Sequence, residues 1–163
     1  LLVRPSDTHY RSSPSVLDRM ALAGTRARGS TMPTIRLRGK RFATHLPKNW
    51  SQGCQVVWTD DLFFRGHAKK VGEQSGFLTI VRVLPTAEVR FQNVCTFTLP
   101  KGQITAQGIW DSAPGAHQIT LAITGGTEKY EKIHGVIDVA LNPGNNPPST
   151  YSAKFIISYS NRR

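Results

Sequence analysis

Asp60 is the residue in this chain with the clearest chemical promise. It sits in Cys54-Gln-Val56-Val-Trp58-Thr-Asp60-Asp-Leu62-Phe-Phe64, where alternate residues make one face that is apolar except for Asp60. Side chains in an extended strand alternate between faces, so Asp60 would point wherever Trp58 and Leu62 point. On a face that points inward, desolvation would lift its pKa and suit it to act as a general acid or hydrogen-bond donor. The alternative is a strand-edge carboxylate paired with Arg82, Arg65 or Lys70, and Asp61 would face the opposite way, into solvent. Trp58, Phe91, Phe97, Tyr151 and Phe155 can either wall a cavity or fill a core. As a wall they would hold a flexible apolar substrate in one conformer, with a Tyr hydroxyl, that of Tyr159, orienting a carbonyl beside Asp60. Gln103 and Gln107 share one strand face and would hydrogen-bond a substrate if that face is the inner one. Asp60 and Tyr159 are therefore the candidate catalytic pair, and Trp58, Phe91, Phe97, Gln103, Gln107, Tyr151 and Phe155 the candidate substrate contacts.

Other chemistries lack their residue patterns. His45, His117 and His134 stand apart from any Ser/Asp constellation, and Ser112 lies in no nucleophile-elbow sequence. There is no Walker loop or dinucleotide fingerprint. Cys54 and Cys95 have no neighbouring His to form a zinc box and read as small reduced strand residues. Hydrolysis, phosphoryl transfer and redox chemistry are thus poorly supported, and neither cofactor nor metal is expected.

The elements that must carry these residues are short strands. Alternating apolar residues mark them at about 34–44, 54–65, 75–84, 87–99, 102–110, 117–124, 133–141 and 151–160. Breakers such as Arg65-Gly66, Leu84-Pro85, Pro100-Lys101-Gly102 and Gly125-Gly126 separate them. No amphipathic helix lies between strands, so parallel βαβ units are not expected. About eight antiparallel strands with short turns predict an all-β fold, a single closed barrel or a sandwich. A barrel of that size either fills with side chains or holds one small ligand. Residues 1–33 carry Pro, Ser, Arg and Gly without periodicity and read as a flexible leader, with the barrel domain spanning 34–163.

The 163-residue chain has a formal charge of +11, unevenly spread. Residues 1–50 hold ten Lys or Arg against Asp7 and Asp18, which leaves the remainder at only +3. The basicity belongs to the leader and first strand, and a nucleic-acid partner is not expected. No apolar run approaches the roughly 20 residues of a membrane span. A cytoplasmic location is expected, with the Arg- and Ser-rich leader faintly transit-like.

Three motifs occurring in order, Val71-Gly-Glu-Gln-Ser-Gly76-Phe77, Gly102-Gln-Ile-Thr-Ala-Gln-Gly108, and Leu121-Ala-Ile-Thr-Gly-Gly-Thr-Glu-Lys-Tyr130 followed by Gly135, resemble the allene oxide cyclase and dirigent superfamily, which includes bacterial spirotetronate-forming Diels–Alderases. The resemblance covers about residues 50–141. It implies a barrel with an internal binding cavity for a hydrophobic small molecule, no cofactor, and a homo-oligomer, dimer or trimer. It also implies a cyclase that closes a ring in a polyketide or polyene intermediate, by pericyclic or by carbonyl- or epoxide-assisted chemistry. The dirigent branch implies instead steering of radical coupling, and a non-catalytic ligand-binding barrel is a further alternative. In plant allene oxide cyclases a lumenal Asn occupies the place of Asp60 and a cavity Cys that of Leu78. Their catalytic Glu near the end of the first strand has no counterpart in residues 42–47, where His45 is the available polar group. The glycines read as tight barrel corners, with positive φ at Gly125-Gly126 and close backbone approach at Gly135.

Overall fold

A computed structural model describes residues 33–48, 50–85, 88–112, 117–142 and 150–159. All of the predicted leader except Pro33 lies outside them. Eight strands follow one another: β1 (Thr34–His45), β2 (Gln55–Phe64), β3 (Lys70–Val83), β4 (Val89–Leu99), β5 (Gly102–Asp111), β6 (Gln118–Gly126), β7 (Ile133–Leu141) and β8 (Thr150–Tyr159). Each pairs antiparallel with its neighbour, and β1 pairs with β8 to close the barrel. Closure satisfies both edges of the sheet, so no described strand is left as an open edge. No helix of the described residues is long and apolar enough to cross a membrane.

Alternation sorts residues inward and outward as their polarity demands. On β4 the odd residues from Phe91 to Leu99 are buried, and on β8 so are those from Tyr151 to Ile157. One end of the lumen, the base, is packed solid. There Phe97 and Phe155 are fully buried in an edge-to-face pair with ring centroids 4.9 Å apart. Leu62, Ile104, Ile137 and Ile157 close around them, each at most 1% exposed. Burying each such side chain is worth about 1.5–3 kcal/mol, and the ring pair adds about 1 kcal/mol. A single 3₁₀ turn, Glu128–Tyr130, sets the buried Tyr130 ring under this end.

Two local features depart from the sequence reading. β3 begins at Lys70 rather than 75, because residues 70–74 continue the ladder against Phe63–Asp60 of β2, with a register shift where Leu62 pairs with Gly72 and Phe63 with Lys70. The Gly125-Gly126 pair does not turn through positive φ. Both glycines finish β6 in the sheet, and the left-handed residue of that connection is Glu128, at φ 53°. Gly135 behaves as expected: its φ is +139°, and a Cβ there would strike the Ile156 carbonyl.

A β-bulge between Arg41 and Ala43 breaks the register of β1 with β2. Leu37, Gly39 and Arg41 share one face of β1. The extra residue, Phe42, turns out into solvent and resets the alternation, so that Thr44, opposite the buried Trp58, also faces inward.

Candidate functional site

Above the packed base the barrel opens into a cavity of about 510 Å³ whose lining runs from Asp60 and Gln74 at the bottom to Leu46 and Trp50 at the rim. Its wall is largely aromatic. Phe91 and Trp110 stack at 4.9 Å with planes 29° apart, and Trp50 meets Phe91 edge-on at 6.3 Å. Two glycines make room for the large side chains. A Cβ on Gly39 would fall within the ring of Tyr151, its partner across the β1–β8 pair, and one on Gly76 would crowd the indole of Trp58, opposite on β2.

Asp60 is completely buried. Arg41 faces it across the β1–β2 pair, and its Nε donates to Asp60 Oδ1 at 2.5 Å. The bulge lets the same guanidinium donate to Thr44 Oγ1 at 3.3 Å, and it lies 5.8 Å over the Trp58 ring. Asp60 Oδ2 has no hydrogen-bond partner among the described residues. Burial raises the Asp60 carboxyl above the ordinary carboxylate range, against the opposing pull of Arg41. The Tyr151 hydroxyl stands near enough to steady the Asp60 charge, but its hydrogen goes to Gln74 Oε1. Burial, and then the nearby Asp60, hold the Tyr151 phenol well above its usual value, so it remains a neutral donor. Cys95, buried beside Gln74, is pushed up to about 12 by burial and is an unionised thiol at neutral pH. Two more buried polar atoms of lining residues, Asn93 Oδ1 and Trp110 Nε1, also lack partners among the described residues. Such an arrangement can hold a proton out of water, deliver it to a bound oxygen, and steady the carboxylate left behind.

Of the residues singled out from sequence, Asp60, Trp58, Phe91 and Tyr151 meet in this cavity. The others do not. Phe97 and Phe155 belong to the solid base, because the alternation that turns them inward places them at the closed end. Gln103 and Gln107 are exposed on the outer wall, because β5 starts with an inward Gly102 and its odd-numbered residues up to Gln107 face out or to the side; Gln103 Nε2 reaches only Thr98 Oγ1, at 3.4 Å. Tyr159, proposed as the catalytic partner of Asp60, ends β8 opposite Ile133 at the base end, 49% exposed and away from the cavity. Tyr151, eight residues earlier on the same face of β8, is the tyrosine that lines the cavity beside Asp60. The partner of Asp60 is Arg41 rather than Arg82, Arg65 or Lys70, and Lys70 instead bridges Asp61 and Glu73. Sequence reading missed Arg41, Gln74, Asn93 and Trp110 as site residues. Asn93 sits between Phe91 and Cys95 on an inward face and so left a signal, whereas Arg41 shares the face of Leu37 and Gly39 but lies within a basic run.

Among the described residues no three His, Cys, Asp or Glu gather as a metal-binding group. No curated protein matches the chain significantly. Solved structures do match. Pyocyanin demethylase aligns at 25% identity and a TM-score of 0.63, over 77% of this chain and 99% of its own. The Diels–Alderase AbmU from Streptomyces koyangensis aligns at 16% identity and 0.65, over 78% of this chain and 64% of its own. The pterocarpan synthase dirigent protein GePTS1 aligns at 13% identity and 0.62, over 94% and 100%. At such identities the last two speak for the shared barrel. The model of the allene oxide cyclase barrel-like domain matches residues 33–157, and the chain belongs to that family.

Proposed function

We propose that this chain is a cofactor-independent cyclase that closes a ring in a small polyene or polyketide intermediate folded inside the barrel, with Asp60 as the acid. The observation that carries this reading is the buried carboxyl of Asp60, gripped through one oxygen by Arg41 while the other is unpartnered in an aromatic-walled cavity. In its protonated form Asp60 gives a proton from Oδ2 to a carbonyl or epoxide oxygen of the substrate. The activated carbon is then attacked by an electron pair of the same molecule, forming the ring bond. Arg41 steadies the carboxylate, which recovers a proton as the product loses one, so the net reaction is an isomerisation. Holding both reacting ends in one apolar chamber removes much of the entropic barrier to cyclisation. The likeness to an enzyme named for its action on pyocyanin supports small-molecule chemistry in such a barrel, and the Diels–Alderase of the same fold supports ring formation.

Incubation of the protein with linear epoxide- or carbonyl-bearing polyenes, followed by chromatography, tests this. Ring closure is expected without any added oxidase, and Asp60→Asn should slow it on the order of a hundredfold or more. Full turnover by that variant would remove the acid role. A protein that is inert alone and alters only product handedness once an oxidase is supplied would be acting as a dirigent barrel.

A further inference from the structure

The three polar atoms of the cavity that lack partners among the described residues are of different kinds. Asp60 Oδ2 lies at the bottom, Asn93 Oδ1 is an acceptor in the wall, and Trp110 Nε1 is a donor in the wall. Asp60 and Asn93 are both more than nine-tenths buried. A buried polar atom left unpaired costs about as much as a lost hydrogen bond, and native proteins keep few of them. Three around one enclosure describe the polarity of what the enclosure is shaped to hold.

Strand register fixes their arrangement. Asn93 pairs with Gly108 on β5, two residues from Trp110, so Asn93 and Trp110 are diagonal neighbours with backbones roughly 7–8 Å apart. Gly108 places no side chain between them. Gln74, which pairs with Asp60, pairs on its other side with Phe97, so Asp60 lies two inward positions deeper than Asn93. The Phe91–Trp110 stack beside them presents a flat face.

We infer that the cavity takes a flat, conjugated molecule whose edge carries a hydroxyl or N–H for Asn93 Oδ1 and, beside it, a carbonyl or ring-nitrogen acceptor for Trp110 Nε1, its reacting end at Asp60. This rests on the cavity being the substrate site proposed above. A site with a buried acceptor rejects analogues that cannot donate to it, so selectivity is the property to measure.

Umbelliferone, its methyl ether and unsubstituted coumarin share one flat carbonyl-bearing frame, and only the first can donate. Titrated against the full chain by quenching of tryptophan fluorescence, umbelliferone should bind about tenfold more tightly than its methyl ether. Asn93→Leu should bring that ratio near one, with Asn93→Ser as a second variant should Leu unfold the barrel. Trp110→Phe keeps the aromatic wall but not the N–H, and should weaken all three ligands several-fold alike. Equal affinity of umbelliferone and its ether for the unaltered protein, a ratio indifferent to Asn93, or no binding of any of the three would each overturn the inference. Binding is read here without turnover. Selectivity combined with an active Asp60→Asn enzyme would remove only the proposed catalysis, and an inactive Asp60→Asn enzyme without selectivity would remove only this ligand.

Discussion

Asp60 binds its proton more tightly in the folded chain than in the unfolded one, because the fold strips water from the carboxylate and Arg41 only partly replaces it. Between the ordinary value of 3.8 and the higher folded value, the native state therefore carries more protons than the unfolded state. Stability contributed by this residue is complete below that window and falls as pH rises through it. Asn at position 60 has nothing to titrate. The melting temperature of the unaltered protein, measured relative to Asp60→Asn, should be highest on the acid side and decline across the window. Two curves running parallel at every pH would mean that the carboxyl titrates alike in both states. Asp60 was legible in the sequence as the lone charge on an apolar alternation. Its partner was not, because Arg41 lies in the basic run Arg36-Leu-Arg-Gly-Lys-Arg41, which reads as solvated until β1 is seen to face Asp60.

At the scale of elements, alternation reports which face a residue takes but not how far along the barrel it lies. All eight strands were readable from apolar periodicity and turn residues, with ends mostly within one to three residues of those observed. Tyr151 and Tyr159 have the same parity on β8, so the sequence could not say which of them shares a level with Asp60. Phe91 and Phe97 are likewise equivalent by parity, yet one walls the cavity and the other seals it. Depth is set by strand register and by bulges, which arise from the closed ladder as a whole. The close approach expected at Gly135 was legible, but that at Gly39 was not. Gly39 exists to admit the Tyr151 ring, so Gly39→Ala should destabilise the barrel by about 1–3 kcal/mol in denaturant titration. It should also displace Tyr151 and lower turnover, while an Ala there that leaves stability intact would show that the ring has room to move.

At the scale of the whole molecule, the barrel is a vessel with a solid floor. The Phe97–Phe155 pair and the isoleucines around it close the base, while the cavity lining reaches the rim at Leu46 and Trp50. Among the described residues the floor is closed and the rim open, so in the cyclase proposed above the ring-closed compound would depart by the doorway through which its precursor arrived. Newly made compound and fresh precursor then compete for the same passage and the same berth, and accumulation of the former should raise the apparent KM while leaving kcat unchanged. Steady-state rates at several concentrations of added end compound would reveal it, and a pattern in which kcat falls instead would mean that the end compound also binds outside the berth the precursor occupies.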